Sequence, residues 1–116
     1  MDKKSIDLDE YGRRIFKAKD SPGTLDSINT ELMGWYAYFN EQLNSLELLE
    51  AKFWQDNKKI EGKKDRSDKE LEGMWKLTDD GEYHMRSLRA VKTIEKLSSS
   101  LKSSLRRAEV ESRGQF

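Results

Sequence analysis

At 116 residues, with 22 basic and 22 acidic side chains, the chain has room for one small domain and carries no net charge. It has no cysteine and no run of 18 apolar residues, which excludes a disulfide scaffold and a membrane-spanning helix, and its length excludes a two-domain enzyme. Charged residues make up 38% and hydrophobic ones only 34%, yet three Trp, four Tyr and four Phe argue for a buried core rather than a disordered chain.

Residues 1–23 read as a charged N-terminal arm whose few apolar anchors are Ile6, Leu8, Tyr11, Ile15 and Phe16. Ile6 and Leu8 suit a short extended piece, and Tyr11 to Lys19 suit one or two helical turns. The start of the chain lacks the apolar stretch of about 7–15 residues found in a secretory signal, so the expected compartment is the cytoplasm. Ser21-Pro22-Gly23 reads as a turn that closes the arm.

Residues 24–116 are expected to form one all-α domain, a long antiparallel helical hairpin assembled into a homo-oligomeric bundle or ring. Its first helix covers about 25–61. Ile28, Leu32, Trp35, Phe39, Leu46, Leu49, Phe53 and Ile60 fall on alternating steps of three and four, with Gln42 and Asp56 as polar interruptions. That is the a/d stripe of a coiled coil. Tyr36 and Leu43 widen it toward a second neighbour. Thr24, Asp26 or Ser27 can cap its start. At about 1.5 Å per residue the helix is roughly 50 Å long.

Glu61 to Arg66 is a polar turn, and Ser67-Asp68-Lys69-Glu70 has the form of a capping box. The second helix is expected over about 68–112, with a kink or break at 78–81, where Thr78 offers a second start. Leu71, Met74 and Trp75, then Leu88, Val91, Ile94, Leu97, Leu101, Leu105 and Ala108, form its stripe, and Arg113-Gly114 a stop. Two helices cannot cover both faces of Trp35, Tyr36, Phe39, Phe53, Trp54 and Trp75. Either the arm or other copies must do so, and a seam of Trp35, Phe39, Leu46 and Phe53 is the expected interface between copies.

Neutrality hides an asymmetry. Residues 25–56 hold six acids and one base, whereas residues 84–116 hold eight bases and three acids. Either the two helices pair electrostatically, or the basic stripe is left for phosphates. Lys58, Lys59, Lys63, Lys64 and Arg66 form a separate basic cluster around the turn, with Glu61 and Asp65 among them. Such a cluster is either a solvated turn or, repeated across copies, a polyanion-binding surface. Trp54, off the apolar stripe, is expected as an exposed ring for stacking on bases. Ser98 to Ser100 with Ser103 and Ser104 either permit close helix packing or add hydroxyls for phosphates.

Catalytic parts are few. His84 is the sole histidine, the seven glycines are dispersed, and paired acids such as Glu47 and Glu50 or Asp79 and Asp80 are unspecific in a chain this rich in carboxylates. No enzyme activity, metal or cofactor is expected.

An aromatic-rich helix from Trp35-x-x-x-Phe39 through Glu50-Ala51, then Lys58-Lys59 and a polar turn, then a long helix ending in Glu111-Ser112-Arg113-Gly114, together resemble the phage-type recombination mediator proteins. The resemblance covers about residues 28–114. It implies a non-catalytic homo-oligomeric ring that binds single-stranded DNA and helps load a RecA-like recombinase onto strands coated by single-strand-binding protein. It places DNA contact on Lys58 and Lys59; the residues themselves add Lys63, Lys64 and Arg66. The expected partners are thus single-stranded DNA, the recombinase, the single-strand-binding protein and other copies of the chain, with no membrane, in the cytoplasm of a host cell if phage-encoded. The chain departs from the family in its neutral balance and in its short segment after Arg113, so no further C-terminal oligomerisation element is carried over. The alternative expectation is a homo-oligomeric helical adaptor or virion-type structural protein without nucleic-acid binding.

Overall fold

A computed structural model describes residues 3–113 and shows among them four helices and no strand: α1 (Leu8–Lys17), α2 (Pro22–Asn57), α3 (Asp68–Lys76) and α4 (Asp79–Arg113). Gly114, expected to stop the last helix, lies outside the described residues, and no helix within them is long and apolar enough to cross a membrane.

The arm is more ordered than its composition suggests. Asp7 caps α1, its carboxylate accepting the Glu10 N–H at 3.1 Å, so Leu8 joins a ten-residue helix instead of an extended piece. Ser21-Pro22-Gly23 does not separate arm from helix by a turn. Pro22 occupies the first position of α2, where its fixed φ fits and its missing N–H costs nothing. The Ser21 carbonyl accepts the Leu25 N–H at 3.0 Å. Thr24, Asp26 and Ser27 therefore sit inside the helix rather than capping it.

At its other end α2 stops at Asn57, four residues before the expected limit. Asn57 donates through Nδ2 to the Phe53 carbonyl at 2.8 Å, and its own carbonyl accepts from Arg66 Nη1 at 2.6 Å. The Arg66 N–H adds a bond to the Lys58 carbonyl at 2.8 Å. Between these ties the chain reverses at Gly62, whose φ of 71° suits a residue without Cβ. Ser67 then caps α3, accepting the Glu70 N–H at 3.2 Å and donating to the Glu70 carboxylate at 3.3 Å.

The second segment, expected with a kink or break at 78–81, holds two helices. Leu77 and Thr78 separate them, and Thr78 Oγ1 links both ends, donating to the Trp75 carbonyl at 2.7 Å and accepting the Gly81 N–H at 2.9 Å.

The chain divides into two compact units, one made of residues up to Tyr38 with those from Ala90 onward, the other of Phe39–Arg89. The division falls inside α2 and inside α4. In the first unit, Ile15 of α1 and Ala18 just after it, Leu25, Ile28 and Leu32 of α2, and Ile94, Leu101 and Ala108 of α4 form the core. Ser98 donates to Asn29 at 3.2 Å and the Tyr36 hydroxyl to Glu95 at 2.9 Å, a pairing order that makes α2 and α4 antiparallel here. Ser98 is buried, so this serine serves close packing.

In the second unit Phe39, Leu43 and Leu46 of α2, Leu71 and Trp75 of α3, and Tyr83 and Ser87 of α4 are buried. Trp75 lies 5.6 Å from Phe53 between ring centroids, and its Nε1 donates to His84 Nδ1 at 3.1 Å. Of the four residues expected at a seam between copies, Phe39 and Leu46 are 2% and 0% exposed within a single chain, and Trp35 and Phe53 are half-buried.

One ion pair fastens α1. Arg14 Nη2 lies 2.7 Å from Glu31 Oε2, and both Arg14 Nη1 and the Tyr11 hydroxyl donate to Glu31 Oε1. The hydrogen bonds from Arg14 hold the Glu31 carboxyl below the ordinary carboxylate range and raise Arg14 in turn. A lowered carboxyl stabilises the fold above its unfolded pKa and stops doing so as pH falls through the folded one. The thermal midpoint of Glu31→Gln is accordingly expected below wild type at neutral pH, with the gap closing below the ordinary carboxylate range. An equal gap at neutral and strongly acidic pH contradicts this role.

Candidate nucleic-acid interface

The turn between α2 and α3 carries the first candidate surface. Because α2 ends at Asn57, Lys58 and Lys59 emerge into the connection instead of continuing the helix, and the Gly62 reversal brings Lys63 and Lys64 after them. All four lysines are exposed, and none forms an ion pair among the described residues. Lys63 and Lys64 border a shallow depression that Ile60, Asp65, Ser67 and Glu70 also line. Arg66 differs from the other four. It is half-buried, and its guanidinium closes the C-terminal end of α2, where a cation also suits the helix dipole.

Trp54 does not offer the expected open ring. It is half-buried, and its Nε1 is shielded from solvent without a hydrogen-bond acceptor. Phe53 is half-buried against Trp75. The turn surface is therefore one of point charges and has no stacking platform from either residue.

Among the described residues, no Lys or Arg of α4 forms an ion pair with an acid of α2. Glu31 is held by Arg14 and Tyr11 of α1. Glu50 lies 3.5 Å from His84 Nδ1, the same nitrogen that accepts from Trp75, so the ring is oriented by the core rather than free at the surface. On α4 in the first unit, Lys92, Lys96, Lys102, Arg106 and Arg107 are exposed and form no ion pair among the described residues. No family model, curated protein or solved structure matches this chain.

What the surface does must follow from its own chemistry. Lysine ammonium groups outside ion pairs are available to neutralise phosphates and so to release the counterions condensed on a polyanion. No group of three His, Cys, Asp or Glu residues among those described is placed to hold a metal ion. The part Arg66 plays was hidden in the sequence, where it reads as one more base in a basic run. His84 was equally opaque, since the Trp75 N–H that it accepts reaches it only by packing.

Proposed function

We propose that this protein is a non-catalytic single-stranded-DNA-binding protein whose phosphate contacts are Lys58, Lys59, Lys63 and Lys64. The observation that carries this reading is the exposure of all four without a carboxylate partner among the described residues, within a segment of seven residues. Arg66 supports the site by shaping the turn. The resemblance extends the proposal to a homo-oligomeric recombination mediator that favours exchange of a single-strand-binding protein for a RecA-like recombinase. Repetition of the turn in an oligomer multiplies weak contacts.

Replacing Lys58 and Lys59 together by Ala tests the site. Both lie outside the helices and the core, so circular dichroism and the thermal midpoint are expected to stay as in wild type. Affinity for a fluorescent single strand falls, and the slope of log affinity against log salt flattens by roughly 0.7 for each phosphate that the variant no longer neutralises. An unchanged dissociation constant and an unchanged slope remove these lysines from the interface.

The adaptor reading draws on a different observation, the exposed Leu48 and Leu77 of the second unit, 75% and 89% accessible. Wild-type protein that self-associates but ignores single strands at low salt selects it.

A further inference from the structure

We propose that a groove between α1 and α4 in the first unit seats one nucleotide of a single strand, its base on Phe16 and its phosphate between Lys19 and Arg107. This inference rests on the single-strand reading but uses none of the turn residues. The groove has a volume of about 420 Å³, within the roughly 300–1,000 Å³ of small-molecule sites. Ile15 and Leu97 give it an apolar wall, and Gly12 keeps α1 free of a side chain there.

Three features select the ligand. Phe16 is 71% exposed, an aromatic face left in water where a base can cover it. Lys19 Nζ stands over one face of that ring, 5.1 Å from its centroid, so the other face is the one a base covers, with a cation next to it for the phosphate. The charged groups lining the groove are Lys19 and Arg107, both basic, and neither forms an ion pair among the described residues. Ser100 and Ser104 add hydroxyls on the same wall of α4 as Arg107, one helical turn apart. Their spacing sorts the serine run by role, with Ser98 turned to the core and Ser100 and Ser104 to the groove. An apolar peptide would leave these cations unmatched, and an inorganic anion would leave the ring uncovered. A base joined to a phosphodiester satisfies both. Lys92, Lys96, Lys102 and Arg106, exposed on the same helix, supply charge for the neighbouring phosphates.

The test uses the full chain and a fluorescent oligothymidylate. Phe16→Leu keeps an apolar side chain but removes the ring. Its affinity is expected to fall about 5- to 150-fold, the loss that corresponds to one stacked base, and Phe16→Trp to restore binding. On an abasic strand of equal length, wild type and Phe16→Leu bind alike. Arg107→Ala flattens the salt slope by roughly 0.7. Thymidine monophosphate competes only weakly; complete displacement at matched nucleotide concentration assigns the groove to a free nucleotide and overturns the strand. Wild-type affinity in Phe16→Leu, or an equal loss on the abasic strand, also overturns the proposal. If Lys58→Ala with Lys59→Ala weakens binding and the groove variants do not, only the groove proposal fails. The converse result removes only the turn site, and a wild type that binds no strand removes both.

Discussion

Gly81→Ala is expected to destabilise the protein severely, although alanine is the better helix former by about 1 kcal/mol. A Cβ at this position would lie 1.7 Å from the Trp75 carbonyl oxygen and 2.6 Å from its carbon. Those atoms are backbone at the end of α3, so no side-chain rotation relieves the clash. The first turn of α4 must move by more than an ångström, which pulls Gly81 N–H from Thr78 Oγ1 and disturbs the bond from Thr78 to Trp75. Overpacking in ordinary cores costs about 1–3 kcal/mol, and a fixed backbone neighbour places this case at or beyond the upper end. Gly73→Ala is the control. Gly73 is exposed in α3 with no atom within 4 Å of a new Cβ, so the same substitution should stabilise there by roughly 0.5–1 kcal/mol. Urea unfolding followed by circular dichroism reads both. Equal midpoints for Gly81→Ala and wild type contradict the close approach of α3 and α4.

Trp75→Ala should cost about 3–5 kcal/mol, a large share of the roughly 5–15 kcal/mol that holds a domain folded. Trp75 is 4% exposed, packs on Phe53 and donates to His84. Truncation opens a cavity in the second unit and leaves the half-buried His84 without its donor. Trp75→Phe separates these effects, since it keeps an aromatic ring and removes the N–H. It should lose only part of the stability, with the hydrogen bond contributing roughly 0.5–1.5 kcal/mol. Identical denaturation midpoints for Trp75→Ala and wild type would refute the assignment of Trp75 to the core.

The all-helical architecture could be read from the spacing of apolar residues, because Ile28, Leu32, Phe39 and Leu46 recur at a helical period whatever covers them. Ser67-x-x-Glu70 was legible for a related reason: a cap is made by residues three apart and needs no tertiary partner. The interruption at Leu77 and Thr78 showed only as two competing helix starts. It is decided by the close approach of Gly81 to Trp75, which no local pattern encodes. The order of α1 was obscured in the same way, since its anchor joins Arg14 and Tyr11 to Glu31 on another helix. Trp54 and Arg66 misled in opposite directions. The apolar stripe placed Trp54 outside the core, yet a wide indole reaches cover from the edge of a stripe. The basic run placed Arg66 among surface charges, yet its guanidinium is long enough to turn inward and cap α2. The groove beside Phe16 has no linear signature, because its walls come from segments about eighty residues apart in the chain.

Titration of a fluorescent single strand with wild-type protein across a series of salt concentrations tests the central claim most directly. Phosphate binding by the four turn lysines of each chain predicts association at low ionic strength that weakens steeply with salt, with a log–log slope of about −2 to −3 from the turn alone. Any contribution from the α4 cations makes it steeper. Absence of binding at low ionic strength, or an affinity indifferent to salt, would contradict the account.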